Sequence, residues 1–175
     1  MKIFRKLFKH PIHGFVVSLL PRRIRAHGTS NSTTRPDMQV QYRLVYRFRD
    51  APVPPEFHRS YTIVVTPRKV RVSIDVYGKK LARHSAAITA DRYRVFVAAL
   101  LQLHITKCDE KKSLGCSGGK TDLLDIDMGE NYRVKGFVYH CCGFDYGDLN
   151  GDASAAAELF KALIPDLITK VNSAG

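Results

Sequence analysis

Side chains alternate between apolar and polar in three stretches between residues 40 and 76, separated by a proline-rich loop at 50–58 and a turn at 67–69, and this period of two is the strongest constraint on the fold. In a β-strand, successive side chains point to opposite faces, so alternation predicts strands with one buried and one solvent-facing side. The first strand, 40–48, places valine, leucine and aromatic residues on one face and mainly arginines on the other. Strands 60–66 and 70–76 repeat the pattern.

Turn and capping signals follow these three strands. Gly78 with the two lysines after it predicts a hairpin turn, which leads to a weaker fourth strand at 81–88. Thr89 is a favourable N-cap, and Asp91 suits the first turn of a helix. The apolar stripe that follows predicts a helix as far as about Thr106.

The remainder of the chain adds two strands and a second helix. Strands are predicted at 124–128 and 132–139, after a loop rich in glycine and lysine. Asp152 is an N-cap for an amphipathic helix, which Pro165 breaks or kinks. The predicted order is β-β-β-β-α-β-β-α, an α+β fold. Because short turns join antiparallel neighbours, we expect a single antiparallel sheet of about six strands with two helices on one face.

Positive charge is concentrated ahead of the first strand. Residues 1–39 carry eight lysines and arginines against Asp37 alone, so they hold +7 of the net charge of +12. The remainder of the chain therefore carries only +5. A basic leader of this kind suits an anionic membrane surface, a targeting signal or nucleic acid.

The leader divides into short pieces. A basic amphipathic stretch ends at Pro11, and the apolar run 14–20 is far shorter than the roughly 20 residues of a bilayer span. We predict a basic leader or tail with its linker over 1–36 and one globular domain over 37–175. An export signal, a membrane-surface segment formed by residues 1–25, a transit peptide and a disordered tail all remain open. Export or membrane-surface association is favoured over the cytoplasm.

Four cysteines lie in two clusters, Cys108 with Cys116 and Cys141 with Cys142. An even number suits disulfides in an exported protein. We predict a disulfide between Cys108 and Cys116, because Gly115 lets the backbone between them fold back. A bond between neighbouring Cys141 and Cys142 would strain the peptide that joins them. One of these two is expected to be free or to pair elsewhere.

Three motifs resemble functional sites but lack required parts. Residues 115–121 contain the glycines and lysine of a phosphate loop, with one residue too few and a strand in place of the helix that should follow. Residues 148–152 resemble the opening of a calcium loop without its glycine and its final glutamate. The cysteine spacing is unlike that of structural zinc sites, and no local signature supports a Cys–His nucleophile. No cofactor and no metal are expected.

Functional residues are expected in the loops 108–120 and 141–151, because loops on a rigid scaffold carry function. Both loops are rich in glycine, cysteine and acidic residues. The candidate residues, which include the histidine just before the second loop, are Gly118, Gly119, Lys120, His140, Cys141, Cys142, Asp145 and Asp148.

A basic face is the second candidate surface. We expect Arg43, Arg47, Arg49 and Arg71 to share the open side of the sheet, with Tyr77 nearby. Such a face could bind RNA by charge and stacking, although a solvated surface has the same composition. No RNP-like motif, helix-turn-helix or zinc finger accompanies it.

The sequence does not identify a ligand or a substrate. The preferred interpretation is a small, non-enzymatic binding or accessory domain, exported or held at a membrane surface. The alternative is a basic nucleic-acid-associated protein, and the third interpretation is a cysteine-dependent redox or hydrolytic enzyme. Retention or removal of residues 1–36 in the mature protein distinguishes the first two.

Overall fold

The structure is a computed structural model that describes residues 42–113, 115–130 and 132–174. The predicted leader, 1–36, lies outside the described residues. No helix in the described part of the chain is long and apolar enough to cross a membrane.

One sheet dominates the fold. Within the described residues it has eight strands in the order β4-β3-β2-β1-β6-β7-β8-β5, and each neighbouring pair is antiparallel. The elements in chain order are β1 (Arg43–Arg49), β2 (Ser60–Thr66), β3 (Lys69–Val76), β4 (Lys79–Ala87), α1 (Ala90–Gln102), β5 (Thr106–Lys111), β6 (Lys120–Asp127), β7 (Arg133–Cys141), β8 (Phe144–Asn150), α2 (Ala153–Ala162) and α3 (Leu167–Asn172).

The sheet consists of two meanders that meet at its centre. Strands β1 to β4 are joined in sequence, and α1 then carries the chain from the β4 edge to the opposite edge, where β5 lies. Strand β6 returns to pair with β1, and β7 and β8 extend the sheet back to β5. At the centre, Tyr46 of β1 lies opposite Ile63 of β2 on one side and Leu124 of β6 on the other.

The apolar face of the sheet forms the core with the helices. Tyr46 is fully buried, and Phe160 of α2 stacks on it with ring centroids 5.7 Å apart. Phe96 of α1 meets Phe160 edge to face at 5.1 Å, so α1 and α2 cover the same face of the sheet. Burial of the apolar side chains on this face of the sheet against the aromatic rings of the helices supplies the main stabilisation of the fold.

The helix boundaries follow the capping signals. The Thr89 side chain accepts a hydrogen bond from the Arg92 amide at 3.2 Å, and the Asp152 side chain accepts one from the Ala155 amide at 2.8 Å. Pro165 lies between α2 and the short α3, where a break was predicted.

The single antiparallel sheet is confirmed, but the predicted number of about six strands is wrong, because β5 takes up the start of the first predicted loop and β8 takes up most of the second. Strand β5 has mostly exposed side chains on both faces, and β8 contains Gly147 and two aspartates. Neither shows apolar alternation, so neither has the pattern of a half-buried strand. Both form at the sheet edge, where β8 pairs with β7 and β5 pairs with β8.

The helical content also differs from the prediction. Helix α1 ends at Gln102 rather than near Thr106, because His104 adopts φ +49° and turns the chain toward β5. In the described residues there are three helices instead of two, since the segment after Pro165 becomes helical again as α3. The fold contains more strand than helix.

Candidate functional site

A disulfide joins the two segments in which functional residues were predicted. Cys116 bonds to Cys141, the last residue of β7, with Cα atoms 6.2 Å apart. The predicted Cys108–Cys116 bond is wrong, and Cys108 is a half-buried free thiol in β5. The register of the sheet is the reason. Lys120 lies opposite His140, so the residues before β6 fall beside the end of β7 and not beside β5.

A third sulfur lies against this disulfide. The Sγ atom of Cys142 is 3.1 Å from that of Cys116 and 3.9 Å from that of Cys141. Cys142 is exposed to solvent, whereas Cys141 is buried, with only 5% of its surface accessible. Cys142 (φ 54°) and Gly143 (φ 81°) form the tight connection between β7 and β8, which demands positive φ at both positions.

The segment before β6 is fastened to β7 by close backbone contacts. The Gly119 amide donates to the Tyr139 hydroxyl at 3.1 Å, and that hydroxyl donates to the Cys116 carbonyl at 3.3 Å. A Cβ atom at Gly119 would collide with the His140 carbonyl oxygen and the Tyr139 ring. Gly119 therefore allows the segment to approach β7 closely. Gly118 precedes it with φ +85°, a conformation that also favours glycine.

His140 belongs to a network of charged and polar side chains on the core side of the same strand end. Its Nδ1 lies 2.7 Å from Asp145 Oδ1, and its Nε2 lies 3.0 Å from Asp122 Oδ2. The other Asp122 oxygen accepts a hydrogen bond from the buried Tyr46 hydroxyl at 2.6 Å. Burial opposes the charged form of His140, but hydrogen bonds to Asp145 and Asp122 outweigh it and raise the pKa of the imidazole.

This network suits a positively charged histidine and not a general base. Both ring nitrogens of His140 face carboxylates, so both act as donors. Burial is the largest cause that raises the pKa of Tyr46, followed by the neighbouring Tyr61 and Asp122. The cluster therefore ties β1, β6, β7 and β8 together. Sequence reasoning missed Asp122, although an acidic residue in phase with the buried Leu124 was a usable signal.

A second polar cluster, around Ser60 and His58, does not form a nucleophile–base pair. The Tyr77 amide donates to His58 Nδ1 at 3.4 Å, so Nδ1 is an acceptor and the ring proton resides on Nε2. That Nε2 donates to Ser60 Oγ at 3.3 Å, and the Asp50 amide also donates to Ser60 Oγ at 3.0 Å. In this tautomer the histidine cannot remove the serine proton, so the cluster supports the loop between β1 and β2.

The four predicted arginines occupy the solvent side of the sheet. On β1, the same face carries Arg43, Arg47 and Arg49. Val45, also on that face, lies opposite Val64 of β2, and Val64 lies opposite Arg71 of β3. Arg43 forms an ion pair with Asp125 at 3.2 Å. Within the described part of the chain, the other three guanidinium groups have no carboxylate at ion-pair distance.

Arg47 separates two cavities on this open side. The larger has a volume of about 520 Å³ and is lined by Arg47, Arg49, His58, Thr62, Asp75 and Tyr77, among others. Its acidic side chains are already engaged by backbone amides. Asp50 accepts from the Ala51 and Arg59 amides, and Asp75 accepts from the Gly78 amide. Both carboxylates add negative charge to the cavity, and Asp50 also lies 3.9 Å from Lys120, but within the described residues neither is at ion-pair distance from Arg47 or Arg49.

The second cavity, of about 300 Å³, continues across the other side of Arg47. Val45, Leu123 and Phe137 form its apolar floor. Asp148 lies at its wall, in an ion pair with Lys107, and accepts a hydrogen bond from the Phe137 amide at 2.8 Å.

Tyr77 supplies an exposed aromatic ring at the end of the larger cavity. Its side chain is 57% exposed, and its ring stacks on that of His58 with centroids 3.9 Å apart. The hydroxyl donates to the Val53 carbonyl at 2.5 Å, so both ends of the side chain are held. The ring is therefore a fixed platform beside Arg47 and Arg49.

The predicted candidates thus separate into two sites. One group meets where β6 begins, β7 ends and β8 begins, and it consists of Gly118, Gly119, His140, Asp145 and all of the cysteines except Cys108. Lys120 begins β6 and lies 3.9 Å from Asp50. Asp148 lies apart, on the open side of the sheet. A comparison with protein-family models, curated proteins and solved structures finds no match. Function then has to be inferred from the geometry of the two sites.

Proposed function

We propose that this domain is a binding module, non-enzymatic at its anion-binding surface, and that its ligand is a polyanion that lies along the open side of the sheet. The binding surface, named the arginine face, consists of Arg47, Arg49, Arg71 and Tyr77. The single observation that supports the proposal is the set of three guanidinium groups without a carboxylate partner in the described residues. Uncompensated charge on one surface raises the local concentration of anionic partners.

The chemistry of these side chains fits phosphate, sulfate or carboxylate groups. Guanidinium groups present a planar fork of donors that binds such anions with two parallel hydrogen bonds. Arg47 and Arg49 lie two residues apart on β1, so both point into the same cavity. The cavity is open to solvent, so an extended chain of anionic groups can reach both guanidinium groups.

Single-stranded nucleic acid is the second candidate, and Tyr77 favours it. A base can stack on a fixed, exposed aromatic ring while its phosphates contact neighbouring arginines. Such stacking distinguishes nucleic acid from a sulfated polysaccharide or a membrane surface. Attachment to a membrane through residues 1–25, and export, stay separate predictions, because those residues lie outside the described part of the chain.

The proposal predicts that neutralising the arginine face weakens polyanion binding. The test measures fluorescence anisotropy of labelled oligouridine and of labelled heparin with the full chain at several salt concentrations. The variant carries Arg47→Gln, Arg49→Gln and Arg71→Gln. For RNA we expect the slope of log affinity against log salt to fall by about 2, because each phosphate contact contributes about 0.7 with single strands.

A control must remove the same charge, since the basic leader also attracts polyanions. Arg68, Arg94 and Lys112 are exposed and lie outside the arginine face, so their triple change to glutamine is the matched control. Equal losses in the two triple variants would contradict the proposal. Tyr77→Leu should weaken RNA binding but not heparin binding if bases stack there, and Tyr77→Phe should retain it.

A further inference from the structure

The three sulfur atoms at the end of β7 take no part in the arginine face. One disulfide, Cys116–Cys141, lies there with the exposed thiol of Cys142 in contact with it. We infer that these three cysteines form a thiol–disulfide exchange site, which transfers its disulfide through Cys142 to thiols of small molecules or of other proteins. This activity does not depend on the proposed anion binding.

Burial makes Cys142 the route by which an external thiol reaches the disulfide. Cys141 is almost completely buried, and its sulfur lies 3.6 Å from the Ser117 carbonyl oxygen. Cys116 is half-buried, whereas Cys142 is exposed. Exchange requires a thiolate to approach a disulfide sulfur, and access therefore limits its rate. The external thiolate is excluded from Cys141, but Cys142 is already 3.1 Å from Cys116.

The first step is an exchange within the protein. The Cys142 thiol loses its proton, its sulfur bonds to Cys116 Sγ, and the Cys116–Cys141 bond breaks. Cys141 leaves as a thiolate and takes up a proton, so no oxidant or reductant is consumed. The disulfide now includes the exposed Cys142, and the buried Cys141 holds the free thiol.

The second step transfers the oxidising equivalents outward. A thiolate from a small thiol or a protein cysteine attacks Cys142 Sγ, a mixed disulfide forms, and Cys116 leaves as a thiolate that is then protonated. A second external thiolate attacks the external sulfur of the mixed disulfide and releases Cys142. In sum, one protein disulfide and two external thiols become two protein thiols and one external disulfide.

The backbone at Cys142 supports this role independently of the distances. Cys142 occupies φ 54° in a two-residue turn, where asparagine, aspartate or glycine is preferred. A cysteine in this left-handed conformation is unfavourable, and such residues cluster at functional sites. The turn conformation places the Cys142 thiol against Cys116, although the position would be filled at lower cost by glycine, asparagine or aspartate.

One experiment measures the reduction of the disulfide by excess glutathione in the full chain. Samples are alkylated at intervals, and the Cys116 peptides are quantified by mass spectrometry. We expect Cys142→Ser to slow reduction by about tenfold, because an intramolecular thiol acts at a high effective concentration. Cys108→Ser removes the other free thiol and should reduce at the wild-type rate. An unchanged rate in Cys142→Ser would overturn the inference.

A second variant separates exchange from mere proximity. Cys141→Ser should still oxidise, with a disulfide between Cys116 and Cys142 that tandem mass spectrometry locates, and Cys108 should be its one free thiol. Three free thiols in oxidised Cys141→Ser would contradict exchange. Zinc retained by wild-type protein purified without reductant, with all thiols reduced, would also overturn it. Polyanion binding by Cys142→Ser should be unchanged, so failure of exchange is distinguishable from failure of the proposed function.

Discussion

His140 shows how a single residue depends on its two partners. Its side chain is about one-third exposed, and both nitrogens are held by the carboxylates of Asp122 and Asp145. The hydrogen bonds outweigh burial, so the pKa of His140 is higher in the folded protein than in the unfolded chain. A histidine with a raised pKa stabilises the fold fully below the unfolded pKa of about 6.5, and this contribution is lost as the pH rises through the folded pKa.

We therefore predict that the free energy of unfolding decreases from about pH 6.5 upward, toward the raised folded pKa of His140. His140→Gln should lose this pH dependence, and His84→Gln, on the exposed strand β4, should keep it. Urea unfolding between pH 6 and pH 9 measures the effect. Wild type and His140→Gln with parallel pH profiles would show that the histidine is not charged in the fold.

The pairing of β7 with β8 ends where Val138 lies opposite Gly147, and one side chain of β8 joins the two strands beyond that point. Gly147 has φ +119° and leaves no space for a Cβ atom beside the Phe137 carbonyl. In the next position, the Asp148 carboxylate accepts a hydrogen bond from the Phe137 amide and forms an ion pair with Lys107. Burial opposes its charged form, but the Lys107 and backbone hydrogen bonds lower the pKa of Asp148. This aspartate therefore takes the place of a missing strand hydrogen bond.

We predict that Asp148→Ala lowers the free energy of unfolding by about 1–3 kcal/mol, since it leaves the Phe137 amide without an acceptor. Lys107→Ala should cost less than about 1 kcal/mol, because that side chain is largely exposed. Denaturant unfolding compares the two variants, and hydrogen exchange at the Phe137 amide reports the local effect. Similar losses in both variants would mean that the ion pair, not the backbone bond, is the stabilising contact.

The elements that the sequence predicted are those with their own local signal. Strands β1 to β3 alternate, a hairpin turn at Gly78 introduces β4, and Thr89 and Asp152 cap their helices with side-chain hydrogen bonds. Strands β5 and β8 have polar residues on both faces and depend on each other and on β7 for pairing. The disulfide partner of Cys116 depends on the register of β6 with β7, which sequence spacing alone does not determine.

At the scale of the whole molecule, the disulfide joins residues 25 positions apart and closes a loop around the β6–β7 hairpin. Loop-closure entropy assigns such a bond a stabilisation of about 3.5 kcal/mol through the unfolded state. We predict a loss of this size on reduction or in Cys116→Ser. Denaturant unfolding with and without reductant measures it, and Cys108→Ser should respond to reductant as the wild type does. A reductant-insensitive wild type would contradict the prediction.

The central position of β1 has a consequence for synthesis of the chain. Strands β1 to β4 pair with near neighbours in sequence, but β1 also pairs with β6, where Tyr46 lies opposite Leu124. A ribosome completes the first meander well before it reaches residue 127. Until then one edge of β1 has unpaired amides and carbonyls, and such edges recruit strands from other chains. The nascent protein therefore passes through a period in which its innermost strand is an exposed edge.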